Sequence, residues 1–145
     1  MLVKNILDQK PIGGVLTIKS TNSLMDAARI LSEKRIGALI VSDSEGSVDG
    51  ILSERDIVRE LGRSGTACMT ENVASIMTDT VIACHPTDNV MSVMGKMTDG
   101  RFRHMPVLDE GKLVGVVSIG DVVKGRIGEI ESENSALADM IAGNA

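Results

Sequence analysis

Apolar positions along this chain fall into two alternating rhythms. At Leu24, Ala27, Ala28 and Leu31, and again at Val90, Val93, Met94 and Met97, they recur every three or four residues, the mark of a helix with one buried face. At "ALIV" (Ala38–Val41) and "MPVL" (Met105–Leu108) they run without interruption, as in a short buried strand. Each helix is preceded by a short apolar stretch, Val15–Ile18 or Val81–Cys84, read as a strand. Between strand and helix lie "STNS" and "HPTDN", which supply N-cap side chains. Each buried run is followed by a polar turn, "SDSEG" or "DEG", and then by a second strand, "VDGILS" or "LVGVVS". The pattern predicts β-α-β-β-α, written twice.

The second strands carry a repeated motif. "GILSERDIV" (Gly50–Val58) and "GVVSIGDVV" (Gly115–Val123) match in type and lie 65 residues apart. The likeness extends outward. "VLTIKSTNSLMDAARIL" falls on "VIACHPTDNVMSVMGKM", "RIGALIVSDSEG" on "RFRHMPVLDEG", and "VKNIL" on "VASIM". The glycine-rich polar stretch between the copies reads as a linker. The expected organisation is residues 1–62 as the first repeat, 63–72 as the linker, 73–128 as the second repeat and 129–145 as a C-terminal helix or tail. One unit of this size buries too little alone, so the two are expected to pack sheet against sheet about a pseudo-twofold axis, as one α/β (α+β) domain.

Composition narrows the function. With 145 residues and 43% hydrophobic content the chain is expected to fold. A net charge of -5 and a single aromatic residue, Phe102, argue against nucleic acid, which calls for basic surface and stacking rings. No apolar run approaches the ~20 residues of a membrane span, and "MLVKNILDQK" lacks the apolar core of a secretory signal. Cys68 and Cys84 form no CxxC pair, so a reducing cytoplasmic setting with both thiols as packing groups is expected. His85 and His104 have no metal-ligand spacing, no serine sits in a nucleophile elbow, and "GGVLT" is not a P-loop. The reading is of a protein that is not an enzyme and holds no metal.

The repeated Ser-x-x-Asp has two readings. Ser53 with Asp56, and Ser118 with Asp121, are spaced as capping boxes at the start of a helix. The same spacing suits a nucleotide. A helix N-terminus presents free N–H groups to phosphate, and a carboxylate one turn on accepts the two hydroxyls of a ribose. Gly50 and Gly115 would then let a ligand approach the backbone. The two uses can coexist.

The duplicated "GILSERDI" and "GVVSIGDV", the "RHMPV" upstream and the "IMT" opening the second repeat together resemble a tandem pair of CBS domains, the cystathionine β-synthase type, over about Leu2 to Ile127. The resemblance implies a sensor of adenosine ligands (AMP, ADP, ATP, NAD, NADH or S-adenosylmethionine) with clefts between the repeats, and pairs that dimerise into a flat disc. It gives Asp56 and Asp121 the ribose, and Ser53 and Ser118 the ribose or phosphate. Thr80, just before Val81, takes base or phosphate, and His104, Met105 and Pro106 meet adenine. In the first repeat Ala38, Leu39 and Ile40 stand at the last three positions, and Gly14 replaces Thr80.

The copies differ in charge. Arg55 lies beside Asp56, whereas Gly120 lies beside Asp121. A guanidinium at a helix N-terminus suits phosphate, so the Asp56 site is expected to take the more phosphorylated ligand. Arg55 with Arg59 reads equally as a solvated helix face. Arg101 and Arg103 are assigned to the second site. Met91, Met94 and Met97 read as core or as an interface stripe. From about Asp121 a helix is expected to continue into the tail, with Ile127, Ile130, Leu137 and Ile141 as an incomplete apolar stripe that pads a dimer or docks a partner.

The expected function is a regulatory adenosine-ligand module that reports energy or cofactor status to a protein partner in trans, as a homodimer. The alternative is a ligand-independent structural dimer whose motifs are only caps. Inosine monophosphate dehydrogenase activity is rejected, because no catalytic barrel or cysteine loop is present.

Overall fold

A computed structural model of the chain describes residues 1–10 and 15–143. The first repeat contains α1 (Val3–Asp8), β1 (Thr17–Ile18), α2 (Leu24–Lys34), β2 (Ala38–Val41), β3 (Gly50–Ser53) and α3 (Glu54–Ser64). The second contains α4 (Val73–Ile76), α5 (Val90–Gly100), β4 (His104–Asp109), β5 (Lys112–Ser118) and α6 (Ile119–Ile141). In the first sheet β2 lies between β1, parallel, and β3, antiparallel. In the second, β4 pairs antiparallel with β5. The strand expected at Val81–Cys84 is reduced to one parallel bridge, Cys84 to Val107, closed by hydrogen bonds of 3.0 and 2.8 Å.

The helices start and stop for local reasons. Ser23 caps α2 through a reciprocal box with Asp26, and Asn89 caps α5 by accepting from the Met91 N–H. Both helices end on an arginine in the left-handed region, Arg35 at φ 53° and Arg101 at φ 55°. That conformation is unfavourable for a residue with a Cβ, yet it turns the chain sharply into the next strand at the same point of both repeats.

The core is divided in two, and the division does not follow the sequence repeats. Val3 and Ile6 of α1 are buried among Cys84, Val90, Val93, Met97, Met105, Val107, Val117 and Val122 of the second repeat. Val73 of α4 is buried among Ile18, Leu24, Ala27, Leu31, Leu39, Val41, Leu52 and Ile57 of the first. The opening helices have changed places. Matching backbone bonds fix the exchange. Val3 and Lys4 donate to Asp88 and Pro86 (2.9 and 2.8 Å), and Val73 and Ala74 donate to Asn22 and Ser20 (2.8 and 3.0 Å). Thr78 then runs antiparallel beside Ile51, adding a further antiparallel partner to β3.

The motif glycines make room for this exchange. A methyl group on Gly50 would lie 2.6 Å from Met77 Sδ and 2.9 Å from the Thr78 carbonyl oxygen. One on Gly115 would lie 2.6 Å from a Leu7 methyl. Leu7 and Met77 are equivalent positions in "VKNIL" and "VASIM". The close approach expected of a ligand is therefore taken by the other repeat's helix.

The segment between the repeats is packed against the first core. The segment after α3 is a 3₁₀ helix, Gly65–Thr70, whose Cys68 is buried in the first core. Glu71 follows it, and its carbonyl accepts from the Leu24 N–H (3.0 Å). Cys68 and Cys84 are free thiols, one in each core.

Gly50→Ala is expected to cost about 1–3 kcal/mol, because the new methyl meets backbone as well as sulfur. Gly115→Ala is expected to cost less, since the end of the Leu7 side chain can rotate away. Urea denaturation of both variants checks the order.

Candidate functional site

Two clefts open between the units, each with one Ser-x-x-Asp motif at its floor. At the first, Ser53 caps α3. The Asp56 N–H donates to Ser53 Oγ (3.2 Å), and the Ser53 N–H donates to Asp56 Oδ2 (2.9 Å). At the second, Ser118 caps α6 with the same two bonds to and from Asp121 (2.9 and 3.1 Å). Both capping boxes are fully formed. Helix N-terminus, hydroxyl and carboxylate are thereby held in fixed relation to one another at the floor of each cleft.

The cleft at Asp56, about 440 Å³, is walled by Gly37, Ile51, Ser53, Glu54, Arg55, Arg59, Thr78, Thr80, Val81, Ile82, Phe102 and His104. Arg101 and Arg103 also line it. The repeat alignment assigned these two arginines to the second site, but both line the first, because that cleft lies between the repeats and takes one of its walls from the second. Four guanidinium groups here face two carboxylates, Glu54 and Asp56. Arg59 lies 3.4 Å from Asp56 Oδ1 as a partner one turn along α3.

The cleft at Asp121, about 780 Å³, is walled by Leu7, Val15, Leu16, Ile36, Gly37, Ala38, Ile40, His104, Val114, Gly115, Val116 and Ser118. Its charges balance, with Lys10 and Arg35 against Asp8 and Asp121. Lys10 Nζ binds Asp121 Oδ2 at 2.7 Å and the Val116 carbonyl at 2.7 Å. Burial works to raise the Asp121 pKa, but Lys10 and the Ser118 bonds outweigh it and hold the carboxyl below its usual range. Among the described residues these bonds all go to Oδ2, which leaves Oδ1 to accept from elsewhere.

His104 lines both clefts and packs over Gly37, where a methyl would lie 3.1 Å from its ring. Desolvation lowers its pKa, with Lys10 and Arg103 adding to the effect while Glu54 and Asp121 oppose it. It stands neutral between the two pockets at neutral pH.

The expected site residues therefore divide. Ser53, Arg55, Asp56, Thr80, Val81, Arg103 and His104 come together at the first cleft. Ala38, Ser118 and Asp121 come together at the second, again with His104. Leu39, Met105 and Pro106 are buried strand residues and line neither cleft. Gly14 lies outside the described residues. Lys10, Arg35, Thr78 and Phe102 are cleft residues that the motif reading passed over. An offset of 70 residues, set by "VKNIL" and "VASIM", places Lys10 on Thr80 and Asp8 on Thr78. That register was the available signal.

Comparison with known proteins agrees with this architecture. The CBS domain matches the chain twice, over residues 3–63 and 73–128. The CBS domain-containing protein CBSX3, mitochondrial, of Arabidopsis thaliana is 33% identical over 135 residues, covering 90% of this chain and 66% of that protein. The chain spans only 24% of another Arabidopsis relative, the CBS domain-containing protein CBSCBSPB2. Among solved structures, the CBS-domain containing protein ATU1752 from Agrobacterium tumefaciens superposes with a TM-score of 0.82 at 42% identity, covering 87% of this chain and 99% of that one. The CBS domain pair of protein MJ0100, solved with 5-methylthioadenosine and S-adenosyl-L-methionine, superposes with a TM-score of 0.77 at 32% identity, covering 89% of this chain and 98% of that one.

Two titrations test the electrostatics. Lys10→Met removes the main group that lowers the Asp121 pKa, so the carboxyl midpoint followed by carbon-detected NMR is expected to rise. His104 is a base whose pKa falls on folding, so the unfolded chain takes up its proton first. Stability is therefore full above about pH 6.5 and declines on acidification below it. Urea midpoints measured from pH 7.5 to 5.5 should show that decline in the wild type and a flatter profile in His104→Gln.

Proposed function

We propose, from the premise that the chain belongs to the CBS domain family, that it is a regulatory module binding adenosine-containing ligands in its two clefts. The observation that carries this reading is the duplicated floor: a helix N-terminus, a hydroxyl and a capped carboxylate, repeated in two ligand-sized clefts. Asp56 and Asp121 accept the ribose hydroxyls. Ser53 and Ser118 and the N-terminal N–H groups beside them face ribose or phosphate. The adenosine ligands held by the MJ0100 CBS pair support the ligand class.

The clefts take different members of that class. Arg55, Arg59, Arg101 and Arg103 suit a chain of phosphates, so the Asp56 cleft takes AMP, ADP, ATP or the pyrophosphate of NAD or NADH. The Asp121 cleft, balanced in charge and largely apolar, suits an adenosine with little negative charge, such as S-adenosylmethionine. There Lys10 must yield or share Asp121 when a ribose enters. The chain catalyses nothing in this reading. It acts as a homodimer on a protein partner in trans, through differential affinity of ligand for two arrangements. The buried free thiols support a reducing compartment, read as the cytoplasm.

One observation favours the second reading, a ligand-independent structural dimer: both capping boxes are satisfied without any ligand. Thermal denaturation with AMP, ADP, ATP, NAD, NADH and S-adenosylmethionine separates the two. A ligand at a hundred times its Kd adds about 2.7 kcal/mol, or a rise of roughly 5–10 °C for a chain of this size. Asp56→Ala is expected to abolish the shift given by phosphorylated ligands. Arg55→Ala is expected to weaken ATP more than AMP, and equal losses would remove the phosphate assignment. No shift with any of the six would leave the structural dimer.

A further inference from the structure

The last helix presents a surface that the adenosine clefts do not use. Along α6, Val123, Ile127, Ile130, Asn134, Leu137 and Ile141 follow one another at steps of four, three, four, three and four residues. That is an unbroken a/d heptad seam, with Ile127, Asn134 and Ile141 at a and Val123, Ile130 and Leu137 at d. The apolar members are all exposed, from 39% at Val123 to 81% at Ile141. A different face fastens the helix to the body. Val122 and Gly125 are buried, and the Met1 amine binds Glu129 Oε2 at 3.1 Å. From Ser132 onward every described residue is exposed, so the last turns of α6 have no tertiary packing within the chain. Gly125 and Gly128 lower the helix propensity further.

We infer that α6 pairs with the same helix of a second copy of this chain as a short, parallel, two-stranded coiled coil along this seam. Two features select that occupant. Asn134 stands alone at an a position, where in a parallel pair it meets its own copy amide to amide, a device that fixes two strands in register. In an antiparallel pair it would face an apolar d residue. Flanking charges are complementary in the same arrangement. Arg126 occupies g and Glu131 the following e, the two positions that face each other across a parallel dimer. Among the described residues of one chain, the ion pairs of Arg126 are long, 3.6 Å to Glu129 and 3.8 Å to Glu133. The glycines fall at f and b, away from the seam.

Disulfide trapping in the full-length protein tests the pairing, since Cys68 and Cys84 are buried. Asn134→Cys, oxidised mildly, is expected to run mostly as a covalent dimer on a non-reducing gel. Ser132→Cys, on the opposite side of the helix at f, is expected to stay monomeric. Adding Leu137→Glu to Asn134→Cys should reduce the dimer at least tenfold while the thermal midpoint of the body is unchanged. Equal trapping at 132 and 134, no trapping at 134, or trapping that survives Leu137→Glu would overturn the proposal. So would trapping found only in a mixture of Asn134→Cys with Ile130→Cys, the signature of an antiparallel pair.

Discussion

The structure depends on the reciprocal exchange of α1 and α4. Each of these short helices carries too little apolar surface to fold alone. Each fills a gap in the other repeat's core, with Val3 and Ile6 on one side and Val73 on the other. Everything else at the sites follows from this crossing. It carries Lys10 to Asp121 and Thr78 and Thr80 to Asp56. It also explains why both motifs begin with glycine. The space beside β3 and β5 is occupied by Met77 and Leu7, and a larger residue would push the incoming segment off the sheet.

The exchange is alike in both directions, so the clefts differ through their residues and not through the crossing itself. Two equivalent pockets built from one motif would hold the same ligand. Here one gathers four arginines and the other neutralises its own aspartate with a lysine. The difference arises from residues beside the motifs, at Arg55 against Gly120 and at Lys10 against Thr80, while the cap geometry stays common to both. Among the described residues, His104 is the side chain that lines both clefts.

Much of this was legible in the order of residues. The rhythm of apolar positions located α2, α5 and the central strands, and the duplicated motif located the starts of α3 and α6. What could not be read was which core receives which opening helix, because "VKNIL" and "VASIM" present the same apolar positions and fit either gap. Arg101 and Arg103 were assigned to the second site because they stand in the second repeat, whereas the Asp56 cleft takes a wall from each repeat. Composition marked the segment between the repeats as a linker, but not that Cys68 and its 3₁₀ turn pack inward. Leu39, Met105 and Pro106 look alike in the sequence whether they face a ligand or the core, and burial alone decides.

The exchange of helices also bears on ancestry. Each half carries both a projecting helix and a gap that the other half's helix fills. Reciprocal lending of a first turn is the arrangement by which two copies of one half would close each other's core. A duplicated gene whose products were already interlocked in this way needs only a short join between them to become this chain. The join also frees the copies to diverge, so that one pocket can accumulate positive charge while its twin does not.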